Sequence, residues 1–181
     1  LLLGKEELYR QVFEWVVDSK GRVLPPDPAR VATSAEFEQQ LRHWICQMVV
    51  RIARRSRHKQ DRLRSRIGLH EMTNPSELFR EMFDRYSRPE LEAVEALLRL
   101  ALPPETSSDA IRIKICNILG QCYFYFVLRE FVAEYTRETD FPNRCHAEII
   151  EEIFRNAMRD LSFHGNRRQS PEIPSRQGGS R

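Results

Sequence analysis

The apolar positions of this chain recur at helical spacing, and its longest apolar stretch, Ala110–Val132 (AIRIKICNILGQCYFYFVLREFV), is apolar on two sides. Ile111, Ile115, Ile118, Leu119, Cys122 and Tyr125 make one stripe; Ile113, Cys116, Gly120, Tyr123, Phe124, Val127 and Phe131 make another. A helix that is apolar nearly all round is buried on nearly all sides. The chain's own helices can cover one side, and the other asks for a second copy. Gly120 sits mid-helix, where it costs about 1 kcal/mol relative to Ala; close approach of another backbone would offset that. The pattern therefore predicts a homodimer with this helix at the seam. Thr106, followed by Asp109, reads as the capping box that opens the helix.

The rest of the chain repeats the same period. Lys5–Lys20 is expected as a helix with Leu8, Val12, Trp15 and Val16 on one side, between Gly4 and Gly21. Val23–Ala32 is a proline-rich connection. Thr33 with Glu36 forms a capping box, opening a helix with Phe37, Leu41, Trp44, Ile45, Met48 and Ile52 on one face. Leu63, Ile67 and His70 share the next face, which points His70 inward. Asn74-Pro75-Ser76-Glu77 is a start signal with Asn74 as N-cap, before Leu78, Phe79, Met82, Phe83 and Tyr86. Ser87-Arg88-Pro89-Glu90 restarts the pattern, and Pro103-Pro104 ends it. After a turn at Asp140–Asn143, Ile149, Ile150, Ile153, Phe154, Ala157, Met158 and Leu161 form a narrow stripe like one strand of a bundle seam. No strand pattern occurs. The expected fold is all-α, an antiparallel helical bundle that dimerises through its last two helices.

Charge refines this picture. The formal net charge is +3, and residues 162–181 hold all of it: Arg167, Arg168, Arg176 and Arg181 against Glu172. The body up to residue 161 is neutral, which argues against a nucleic-acid surface spread over it. Arg51–Arg66 holds eight Lys and Arg against one Asp, but no aromatic residue interleaves the run, so it reads as solvated helix ends. Cys46, Cys116, Cys122 and Cys145 form no CxxC pair and read as buried free thiols. No run reaches the roughly 18–20 apolar residues that cross a bilayer, so no membrane is expected, and the setting is cytoplasmic. Neither HExxH, GxSxG, a phosphate loop nor a dinucleotide fingerprint is present. Adjacent Cys145 and His146 diverge on a helix. These absences exclude the familiar enzyme classes and leave no metal or cofactor expected.

Three stretches carry a family resemblance. Lys5-Glu6-Glu7-Leu8-Tyr9, in GKEELYRQVFEWV, is similar to the segment after the DNA-recognition helix of TetR-family transcriptional regulators. Ile118–Phe126 (ILGQCYFYF), with Arg129, resembles the Gly-Gln helix of one TetR subfamily's C-terminal domain; Arg66–Ser76 (RIGLHEMTNPS) resembles that subfamily's Arg-x-x-x-x-Glu…Pro-Ser stretch. The helix-turn-helix that would precede Gly4, and the aromatic pair that closes it, are absent from these residues. The resemblance implies three parts: residues 1–20 as the connecting helix, 21–161 as an effector-binding and dimerisation domain, and 162–181 as a disordered basic tail. It implies a ligand-responsive regulator, a repressor, that contacts operator DNA through the missing N-terminal domain.

The implied effector is small and hydrophobic or amphiphilic, held among Trp44, Met48, Phe79 and Phe83 as apolar walls. His70 would be the orienting polar group, with Arg66 one turn earlier to meet an anion. The expected dimer seam is Ile113, Cys116, Gly120, Phe124, Val127 and Phe131 with Ile149, Ile150, Ile153, Phe154, Ala157 and Met158. The competing reading is a helical protein–protein adaptor without a small-molecule ligand.

Overall fold

The computed structural model describes residues 7, 8, 10–12, 14, 23–57 and 59–163, the side chains of 54–57, 59–62, 64, 65 and 126 excepted. Most of the connecting helix expected over Lys5–Lys20, most side chains of the basic run, and the tail beyond residue 163 lie outside them. Among the described residues all regular structure is helical. A short 3-10 turn, Pro28–Arg30, precedes α1 (Ser34–Arg57) and α2 (Lys59–Thr73). Then come α3 (Glu77–Met82), a π-helical turn (Phe83–Ser87) and α4 (Arg88–Arg99). The second half holds α5 (Ser108–Val127), α6 (Arg129–Thr136), α7 (Phe141–Arg144) and α8 (His146–Met158).

The bundle is built around α1, which packs against α2, α4, α5 and α8. Phe37, Leu41, Trp44, Ile45, Met48, Val49 and Ile52 form its buried face, which is the spacing an amphipathic helix needs. Its start is the expected capping box: Glu36 N donates to Thr33 Oγ1, while Ala32 N and Thr33 N donate to Glu36 Oε2 at 2.8 and 2.9 Å. Those backbone donors, Ala32 first, hold the Glu36 carboxyl below the usual carboxylate range. The proline-rich segment before α1 is clipped along it by two glutamines that act as backbone surrogates. Gln40 accepts from Asp27 N at 2.6 Å and donates to Asp27 O, and Gln47 does the same with Leu24.

Four local features depart from expectation, each for an identifiable reason or none. The cap of α5 is Ser107, whose hydroxyl accepts from Ala110 N, not Thr106. The cap of α3 is Ser76, not Asn74: its hydroxyl accepts from Phe79 N and donates to buried Glu71 at 2.7 Å. At Ser87–Glu90 the helix does not restart but continues through the π turn. Pro89 has no N–H, and its ring would meet the carbonyl four residues back. The wider turn relieves this, and Arg88 N–H reaches back five residues to Phe83 O. The run Ala110–Val132 breaks at Leu128 (φ −98, ψ 31), and α6 turns away by 65°. Neither proline nor glycine stands there, and no residue type accounts for the break. No single helix among the described residues is long and apolar enough to cross a membrane.

The packed body includes the first residues past 161: Ser162 N donates to Ala101 O at 3.0 Å and the Phe163 ring lies 6.0 Å from that of Phe37.

Arg137 ends α6 in the left-handed region (φ 57, ψ 26), which costs a residue with a Cβ about 1–2 kcal/mol. Arg137→Gly should raise stability, by up to about 1 kcal/mol once the freer unfolded chain is counted; urea denaturation checks it.

Candidate functional site

Two carboxylates are buried among the described residues, Glu71 and Glu90, and Glu90 is the one that meets a cation inside the core. Successive turns of α1 present Trp44, Met48 and Arg51, and the first turn of α4, just past the π turn, presents Glu90. Trp44 is fully buried, and its indole Nε1–H donates to Glu90 Oε1 at 2.9 Å. Arg51 Nη1 stands 3.8 Å from Glu90 Oε2, and Nη2 donates to the Met48 sulfur at 3.0 Å. Arg51 Nε is buried and finds no hydrogen-bond partner among the described residues. Burial pushes the buried Cys122 thiol of α5 up to about 12, with the charge of Arg51 opposing, so this thiol stays neutral and unreactive.

The cluster is under-satisfied. An ion pair out of water repays its desolvation only with close geometry and further hydrogen bonds. Here the pair is loose, and one donor of the guanidinium is spent on a thioether, a weak acceptor. Burial accordingly raises the Glu90 carboxyl above its ordinary value; Arg51 and then the Trp44 indole pull it back.

Of the residues expected to line a ligand site, Trp44 and Met48 lie in this core. Phe79 and Phe83 are half-buried and face each other at 6.0 Å, with Arg88 over the Phe83 ring, outside the core that holds Trp44. His70 and Arg66 are exposed. The inward placement of His70 is therefore corrected. The rotation of α2 exposes Leu63 and turns Glu71 inward instead, 1% exposed and accepting from both Ser76 N and Ser76 Oγ. The five residues expected to converge do not form one wall.

The expected seam divides in two. Ile113, Cys116, Gly120, Phe124, Val127 and Phe131 are all exposed in the single chain, Ile113 at 61% and Phe131 at 63%. Ile149, Ile150, Ile153, Phe154 and Ala157 are buried within the chain's own core, with Met158 packed against it, where α8 meets α1 and α5. Cys116, expected buried, is exposed.

Periodicity and motif do not single out Arg51 or Glu90, and Glu71 enters only through the resemblance of Arg66–Ser76. Arg51 was absorbed in the basic run, although it falls on the apolar face of α1, three residues after Met48. A cation on that face is the signal that would have found it. Glu90 stood as part of a helix-start pattern. Among the described residues no group of His, Cys, Asp and Glu is placed to hold a metal.

The family model for the C-terminal domain of the HTH-type transcriptional dual regulator CecR matches residues 37–161. The chain belongs to that family and is a transcriptional regulator domain. Neither the curated proteins nor the solved structures give a significant match. The matched span begins at Phe37, the first buried residue of α1, and ends at Leu161, so it covers most of the packed body, which also takes in Val23 and Val31.

A carboxyl raised above its unfolded value binds its proton more tightly in the native state. It contributes stability at low pH that is lost as pH rises from the ordinary carboxylate range through the raised value. Glu90→Gln keeps an acceptor for Trp44 and should remove that loss. The variant should melt at least as high as the parent at pH 8 and lose its advantage toward pH 4, which thermal melts at the two pH values check.

Proposed function

We propose that this chain is the effector-binding and dimerisation part of a TetR-type, ligand-responsive repressor, working in the cytoplasm where its operator lies. The observation that supports it best is the unpartnered apolar face of α5 and α6 on a regulator domain. Ile113, Phe124, Val127, Leu128, Phe131 and Tyr135 are all exposed, and Phe124 and Phe131 stack edge-on at 6.3 Å. A contiguous apolar patch of this kind marks an interaction surface. A second copy of the chain is the occupant that the face itself suits, since a two-fold seam pairs one patch with itself.

A small hydrophobic or amphiphilic effector would bind near Trp44 and Met48, where the buried polar cluster offers the orienting contact. Its output would pass along one continuous helical run. Glu90 follows the π turn and Glu81 precedes it, and Glu81 holds Arg10 of the N-terminal helical segment at 2.6 Å. A shift at the π turn would move that segment, which in the longer protein leads to the helix-turn-helix. Helix-turn-helix dimers read half-sites about one DNA turn apart, so a change in the separation of the two heads would release the operator.

The adaptor reading keeps one observation in its favour: the same apolar face would also suit a different protein. Gly120 separates the two. A Cβ added there meets nothing within the single chain. Gly120→Ala should therefore stabilise an isolated chain by about 1 kcal/mol through helix propensity. Gly120→Leu should weaken a dimer packed on that face by about 1–3 kcal/mol through overpacking. Concentration-dependent melts should show the Leu variant losing stability at high concentration only. An equal gain for both variants at every concentration favours the adaptor.

A further inference from the structure

The guanidinium of Arg51 has two donor edges, and only one of them faces a carboxylate. Nη1 looks toward Glu90. The other edge, Nε with Nη2, is the pair of parallel donors that grips a carboxylate side-on. On that edge Nε is buried without a partner among the described residues and Nη2 rests on the Met48 thioether. A buried donor left unmade costs about 1–3 kcal/mol, so a better acceptor is favoured there. The surroundings specify the rest of such a ligand. Met48 and, across Glu90, Trp44 border the guanidinium; both are fully buried, so the ligand's apolar part reaches them by opening the packing there, and Glu90 stands on its far side as a negative charge. That charge tolerates one further negative charge more readily than two.

We propose that Arg51 is the anion-recognition group of the effector site, and that the effector is an amphiphilic organic monocarboxylate. Its carboxylate takes Arg51 Nε and Nη2, displacing the Met48 contact, and its apolar part lies against Trp44 and Met48. This rests on the effector-binding reading above and narrows it to one chemical class. It also assigns the anion contact to Arg51, on the buried face of α1, in place of exposed Arg66.

The test is titration calorimetry and thermal shift on the 181-residue chain with matched probes: phenylacetate and octanoate, their neutral amides, benzylphosphonate, and phenethylammonium. Both acids should bind at least tenfold more tightly than their amides, with the phosphonate dianion weaker than the acids. Arg51→Gln should erase the preference of acid over amide. Because that variant leaves Glu90 buried without its counter-charge, Arg51→Gln with Glu90→Gln provides a second, charge-balanced background in which the same loss is expected. Glu90→Gln alone should tighten acid binding severalfold. Equal binding of acids and amides, or an acid preference that survives both Arg51 variants, overturns the proposal. If the amides or phenethylammonium bind and the acids do not, the carboxylate class falls and the effector reading stands. If no probe of any charge binds, both fall.

Discussion

Helix α5 is apolar on two opposite faces, and a single chain covers only one of them. Ile111, Ile115, Ile118 and Cys122 are buried against α1, α4 and α8. Ile113, Phe124 and Val127 look outward and the line continues onto α6 through Phe131. The rest of the architecture follows from the covered face. The other helices take positions around α1 and α5, and the stripe of α8 is consumed in doing so. The uncovered face is what the proposed dimer would close. Gly120 lies within it with open space above its Cα, which suits close approach by a second helix.

The second organising feature is the polar cluster that Trp44, Arg51 and Glu90 form inside the apolar core. Trp44 holds Glu90, Glu90 loosely faces Arg51, and the buried Nε of Arg51 has no partner among the described residues. A well-packed apolar replacement would often be at least as stable as a buried ion pair, so its presence directs attention to binding. Its location strengthens that reading. Glu90 adjoins the π turn, and π turns inside α-helices frequently mark functional sites. The same helical run reaches Arg10 through Glu81. Core and π turn thus lie on one helical run, and an exposed ion pair joins that run to the N-terminal segment.

The fold class and the partition of α5 into two stripes were legible in the sequence because both depend on periodicity, which is local. The capping box at Thr33 and Glu36 was legible for the same reason. The inner face of α2 was not. His70 and Glu71 differ by one residue, and an amphipathic rule prefers imidazole to carboxylate inside. What turns Glu71 inward is a clasp with Ser76, across the joint between two helices. In this chain that clasp ties together the Glu and the Ser of the stretch Arg66–Ser76. The polar cluster was illegible because Arg51 and Glu90 are far apart in sequence and meet only through tertiary packing. The stripe of α8 packs in the chain's own core, and a narrow apolar stripe looks alike whether its partner is in the same chain or another.

Sedimentation velocity on the chain across low to high micromolar concentration tests the central claim most directly, because it asks whether the exposed face of α5 and α6 is closed by a second copy. The account predicts a species of twice the 21.4 kDa chain mass, with dissociation only on dilution. A cooperatively folded species that sediments at the mass of one chain throughout that range would contradict it.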